Sequence, residues 1–155
     1  MAESAYPMVN EAEYLAMDEA SEVKLEYVEG VVRSMAGGSL EHSAIAYNAS
    51  RALGPLADAR GCRGFSSDAR VKANEQGDCV YPDLAFTCGH PEKEGLSLLN
   101  PTLVVEILSP STAAYDRNEK LELYRSIATV EEYLLVASEE PRVEIYRRRG
   151  EVWLY

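Results

Sequence analysis

Long apolar runs are missing from this chain. No stretch approaches the about 18 consecutive apolar residues of a membrane span, which excludes a transmembrane helix. Met1 to Asn10 lacks the basic start and apolar centre of a secretory signal, so a cytoplasmic location is expected. Cysteine is scarce. Cys62, Cys79 and Cys88 are odd in number and show no CxxC spacing, which suggests neither a disulfide framework nor a zinc knuckle. They are expected as reduced thiols, two of them in core strands. Basic residues are outnumbered, 15 Lys and Arg against 26 Asp and Glu, for a net charge of −11. Proteins that grip nucleic-acid phosphates usually carry a basic excess, so the global charge argues against tight nucleic-acid binding unless a local basic face or a divalent cation offsets it. Internal repeats, linkers and low-complexity tracts are absent as well.

What is present is ordinary for a globular protein. The 155 residues suit one domain with a real core, and 46% hydrophobic with 26% charged residues exclude a largely disordered chain. Asn10 with Glu13 three positions on forms a capping-box pattern, which predicts a short helix from Asn10 to Glu19. Lys24 to Met35 reads as a hairpin turning at Glu29-Gly30. A helix is expected from Ser39 to about Ala59, with Ile45, Ala49, Ala52, Leu53 and Leu56 on one face and Pro55 kinking or shortening its end. Cys62 to Ala73 reads as a strand and Cys79 to Cys88 as a second, apolar one interrupted by Asp83, with Gly89 to Asn100 a polar surface loop. A helix capped by Ser109 to Thr112 runs to about Ala128. Tyr133 to Ala137 then forms a buried strand, which implies a βαβ crossover and a parallel pair. Val143 to Tyr146 and Val152 to Tyr155 close the chain as a hairpin around Arg149-Gly150, whose Arg147, Arg148 and Arg149 read as a solvated turn.

One stretch, Pro101 to Lys120, breaks the apolar pattern. Leu103, Val104, Val105, Ile107 and Leu108 read as a strand covered on both faces, and Glu106 sits in its middle. An unpaired carboxylate buried there costs several kcal/mol, so it must be neutralised, paired or bound to a cation. Asp83 interrupts a second apolar strand, and Lys120 shares a helix face with Asp116, Leu123, Tyr124 and Ile127. Two carboxylates with an inward lysine suit Mg²⁺, which binds through one or two carboxylates, waters and substrate phosphate.

Tyr81 to Asp83 (YPD), Val105 to Thr112 (VEILSPST) and Asp116 to Lys120 (D-x-x-x-K) together resemble the Uma family of putative restriction endonucleases, within the PD-(D/E)XK nuclease superfamily. The resemblance extends through Glu26 to Val32, Met35 to His42 and Ser66 to Val71, nearly the whole chain. It implies an α/β (α+β) fold with a restriction-endonuclease-like core: a central mixed β-sheet flanked by helices, preceded by an N-terminal helix and β-hairpin. A single domain over 1–155 is expected, shortened at its C-terminus, since members usually continue further. It also implies Asp83 and Glu106 as metal ligands, joined by the carbonyl of Ile107, with Mg²⁺ as the ion and Mn²⁺ able to substitute. The superfamily lysine two residues after the acid is replaced by Leu108, which points to Lys120 as the third catalytic residue. Glu26, His42, Asp68 and Asp116 are further candidates.

The expected activity is hydrolysis of DNA phosphodiesters by metal-activated water, in a homodimer because two strands are most easily cut by two copies. The alternative is a nuclease-fold binding or assembly protein without hydrolysis, to which the net charge and the displaced lysine point. A two-carboxylate glycosidase is the weaker third reading, since nothing supplies an aromatic sugar platform. Plainer roles compete for single residues: an Asp116 to Lys120 helix pair worth about 0.3–0.5 kcal/mol, a helix-start histidine at 42, and exposed strand acids at 26 and 68.

Overall fold

Local signals set most of the elements. The computed structural model describes residues 8–35 and 37–155. The start of the chain, where no signal sequence is expected, and Ala36 of the Met35 to His42 motif lie outside those residues. Asn10 caps α1 (Glu11–Ala20): its side chain accepts from the Glu13 N–H and Glu13 reaches back, so the capping box is complete. β1 (Leu25–Val28) and β2 (Val31–Ser34) form the hairpin, and its turn needs positive φ at both Glu29 (51°) and Gly30 (83°), the type I′ geometry that suits strand twist. Ser39 caps α2 (Leu40–Ala59), a 20-residue helix that continues through Pro55. The carbonyl that Pro55 leaves without its helical partner belongs to exposed Arg51, where water can satisfy it, so the helix runs to Ala59 as expected and Pro55 does not shorten it.

The strands divide between two six-stranded mixed sheets rather than forming one central sheet. Cys62 to Ala73 breaks into β3 (Cys62–Phe65) and β4 (Arg70–Lys72), and Cys79 to Cys88 into β5 (Cys79–Val80) and β6 (Leu84–Cys88). Each broken run supplies one strand to each sheet. The polar loop expected from Gly89 to Asn100 instead holds a small hairpin of β7 (Lys93–Glu94) and β8 (Ser97–Leu98), where Ser97 and Leu98 are buried. β9 (Leu103–Ile107) carries Glu106. The helix expected through to Ala128 is two pieces, α3 (Ala113–Arg117) and α4 (Glu119–Ser126), separated at Asn118, whose backbone (φ −117°, ψ −81°) leaves the helical region. β10 (Glu132–Val136), β11 (Val143–Arg149) and β12 (Val152–Leu154) follow. The orders are β2-β1-β5-β4-β8-β7 and β12-β11-β10-β9-β6-β3, and β9 and β10 are parallel, as a crossover requires.

Alternation along β9 and β10 sends side chains to two cores. Val104, Tyr133 and Leu135 pack with Leu123, Tyr124 and Ile127, and with Val71 and Val80 of the other sheet. Val105, Ile107, Leu134 and Val136 face the opposite way, where Ile45, Ala46, Ala49, Leu53 and Ala57 of α2 cover them. The covered stripe of α2 is therefore turned from the expected one, and Leu56 is left 63% exposed. A third cluster seats Tyr14 of α1 on the first hairpin.

Two cysteine expectations are corrected. Cys62 and Cys88 are not reduced thiols but a disulfide, at directly paired positions of β3 and β6. Their 26-residue separation carries no spacing signal, because sheet register alone brings them together. Cys79 is buried and free. Among the described residues no helix is long and apolar enough to cross a membrane.

Arg148 does not solvate a turn. Its guanidinium donates to the carbonyls of Arg125, Ile127 and Val130, closing the C-terminal end of α4, and lies 4.7 Å from the Trp153 ring. Arg148→Ala is expected to lower the unfolding free energy by about 2 kcal/mol in urea titrations, and Arg148→Lys to recover little, since a lysine cannot reproduce the fork. A loss under about 0.5 kcal/mol would show that the end of α4 is held by packing alone.

Candidate functional site

Asp83 stands in the break between β5 and β6, where Pro82 lacks the N–H a ladder would need. Its Oδ2 accepts the Ile107 N–H at 2.7 Å and lies 3.3 Å from His42 Nε2. His42 reaches it from the first turn of α2 because Gly38 has no side chain: a Cβ there would sit 2.7 Å from His42 Nδ1. Glu106 projects from β9 on the face opposite Val105 and Ile107 and is 3% exposed. Its Oε1 accepts from Lys120 Nζ at 2.7 Å and from the Tyr124 hydroxyl at 2.9 Å.

Lys120 is 1% exposed, in the first turn of α4. Besides Glu106, its ammonium meets Glu26 Oε1 at 2.9 Å and Asp116 Oδ1 at 4.0 Å. Glu26 arrives from β1 of the other sheet, and its two oxygens also accept the Tyr81 N–H at 2.9 Å and the Tyr115 hydroxyl at 3.2 Å. The expected acids and lysine thus converge from both sheets and both short helices. Ile107 enters through its N–H. Asp68 is not brought in: it lies 85% exposed in the loop after β3, paired with Lys24 at 2.8 Å.

Three carboxylates, those of Glu106, Glu26 and Asp116, therefore surround one ammonium, with Asp83 close by. Burial pushes Glu106 up to about 8; Lys120 pulls it down, and Asp83 and Glu26 push it further up. Burial likewise pushes Asp116 up to about 7, with Glu106 adding to it. Asp83 is raised by burial too, moderated by the Ile107 N–H, by Lys120 and by a hydrogen bond with Glu106. Lys120 goes the other way. Desolvation lowers its proton affinity, yet Glu106, Glu26 and Asp116 together hold it well above the ordinary lysine value. Three carboxylates around one ammonium leave the cluster short of positive charge, and Glu106 and Asp116 respond by holding their protons more tightly.

That imbalance tests whether a divalent ion fits. Among the described residues, no three His, Cys, Asp or Glu side chains form a group able to hold a metal. A zinc site is disfavoured by that, whereas Mg²⁺ takes one or two carboxylates and completes its shell with water and main-chain oxygen. Asp83 and Glu106, adjacent and short of positive charge, fit that pattern.

Two contacts were not anticipated from sequence. The Tyr124 and Tyr115 hydroxyls donate to Glu106 and Glu26 respectively, and the sequence assigns neither tyrosine any chemistry. A signal existed for Tyr124, which is four residues after Lys120 and so on its helix face. Above the cluster opens a groove of about 1340 Å³ between α2 and the loops after β3 and β9. It exceeds the ~300–1,000 Å³ of common small-molecule pockets.

The family model for Uma2, described as putative restriction endonuclease, matches residues 11–154. The chain is 33% identical over 147 residues to uncharacterized protein slr1290 of Synechocystis sp., covering 94% of this chain and 77% of that protein. It is 35% identical over 147 residues to uncharacterized protein sll1609 of the same organism, covering 92% and 83%. Among solved structures it is similar to a putative nuclease belonging to DUF820 from Anabaena variabilis, with TM-score 0.68 and 18% identity over 90% of this chain and 85% of that one. At that identity the likeness speaks for the fold, a mixed α/β nuclease-like architecture. A match across nearly the full chain, with the YPD, VEILSPST and D-x-x-x-K segments gathered at one site, means that this chain belongs to the Uma2 family.

Proposed function

We propose that the chain is a divalent-cation-dependent nuclease that hydrolyses DNA phosphodiesters with Asp83 and Glu106. The observation that carries this reading is the convergence of two adjacent, charge-deficient acids at the floor of an open groove. Asp83, with the main chain of Ile107, and Glu106 would hold Mg²⁺ or Mn²⁺. Bound there, the ion supplies an acidified water and offsets charge growing on the phosphoryl group. The protein's own part is preorganisation. The Ile107 N–H and His42 fix Asp83, while Lys120 and Tyr124 fix the Glu106 carboxylate. Lys120, fully buried and bonded to two carboxylates, orients Glu106 and sets the positive charge behind it.

Incubation of supercoiled plasmid with Mg²⁺ or Mn²⁺ is expected to yield the nicked form, and Asp83→Ala to abolish it. Equal cleavage by the variant would remove Asp83 from the chemistry.

One observation favours a second reading, a nuclease-fold binding protein without hydrolysis. Lys120 already bridges Glu26 and Glu106, so the cluster closes on itself without an added ion. Saturable Mg²⁺ binding that disappears in Asp83→Ala would count against that reading.

A further inference from the structure

The groove above the cluster is poor in positive charge. Its lysines are Lys24 and Lys120, no arginine lines it among the described residues, and both lysines are engaged: Lys24 with Asp68 at 2.8 Å, Lys120 with Glu26 and Glu106. Its walls add Glu22, Glu41, Asp58 and Glu139 to the acids of the floor. Duplex DNA presents one charge per ~1.7 Å of axis, and proteins that grip it typically neutralise about 6–10 phosphates. These acids, with no free cation beside them among the described residues of the groove lining, would repel such a ligand.

We infer that the groove takes an unpaired nucleic-acid strand, its bases against the walls and one phosphate over the Asp83 and Glu106 floor, in preference to a duplex. This rests on the nuclease reading and narrows its substrate. Carboxylates accept hydrogen bonds from base amino and imino groups, and the Watson–Crick edge bearing them is free only in an unpaired strand. Ser43, Ser50, Ser66 and Ser67 line the same walls with hydroxyls that serve either donors or acceptors. Tyr47, on the α2 wall, is 66% exposed and offers a ring for a base to stack on, with the Arg51 guanidinium 5.7 Å from its centroid. A single strand is cut by one centre, which removes the reason for expecting a homodimer.

The test is cleavage and binding of one end-labelled oligonucleotide of mixed sequence, offered as a single strand and as its duplex, with Mg²⁺ and across a salt series. The single strand is expected to be cut at least about tenfold faster, with log affinity falling against log salt no more steeply than about −1. Tyr47→Ala is expected to weaken single-strand binding about tenfold while leaving the duplex unchanged. Asp58→Lys is expected to strengthen duplex binding and steepen its salt dependence. A duplex cut as fast as the single strand, or a salt slope near −6, overturns this inference and leaves the nuclease reading standing. Cleavage of neither form overturns the nuclease reading and this inference with it.

Discussion

Lys120→Ala is expected to lower the unfolding free energy of the metal-free protein by about 3–5 kcal/mol at alkaline pH, because it removes the one ammonium set among three buried carboxylates, Glu106, Glu26 and Asp116. The loss should depend on pH in a definite direction. A carboxyl held above its ordinary value binds more protons folded than unfolded, so stability falls as pH rises from the ordinary value through the folded one. For Glu106 that window runs up to about 8 and for Asp116 up to about 7, and removing Lys120 pushes both further up. At about pH 6 the two acids hold protons and the variant should recover part of its stability; at about pH 8 the deficit should be largest. Urea titrations in the presence of a chelator read this directly. A loss below about 1 kcal/mol that does not vary with pH would mean that Lys120 does not organise the cluster.

Glu106→Gln should give the opposite signature. The amide has the shape of the acid, and its oxygen can still accept from Lys120 and Tyr124, while it cannot ionise as pH rises toward about 8 in a site short of positive charge. Unfolding free energy at neutral pH is expected to stay level or rise. Cleavage is expected to fall at least about 10³-fold, since a neutral amide is a poor ligand for a hard divalent ion. Folded, fully active Glu106→Gln protein would separate Glu106 from the chemistry. Together the two variants distinguish a residue that holds the site from one that performs its reaction.

The parts of this molecule legible in sequence are those set by near neighbours. The Asn10 to Glu13 box, the Glu29-Gly30 turn and the capping Ser39 depend on residues within a turn of one another, and each stands where the pattern puts it. Glu106 was legible because apolar neighbours on both sides leave a carboxylate nowhere else to go, and Lys120 because helical periodicity turns it inward. What sequence did not show depends on strand pairing and tertiary packing. The runs from Cys62 and from Cys79 each contain enough apolar residues for one long strand, but each crosses from one sheet to the other, which no local pattern encodes. The Cys62–Cys88 bond follows from register alone. Asp68 and Glu26 look alike in sequence, acids in segments that match the family and that read equally as exposed strand residues. Packing of the first hairpin against α3 and α4 buries Glu26 on Lys120 and leaves Asp68 in solvent.

The central claim is that Asp83 and Glu106 form one cation site. Its most direct test is a crystal of the wild-type protein soaked with Mn²⁺ and measured at an anomalous wavelength. One ion is expected between the two carboxylates, with the Ile107 main chain and waters completing its shell, and no ion in Asp83→Ala crystals treated alike. Anomalous density elsewhere, or a Lys120–Glu106 contact that stays closed with no ion beside it under saturating Mn²⁺, would contradict it.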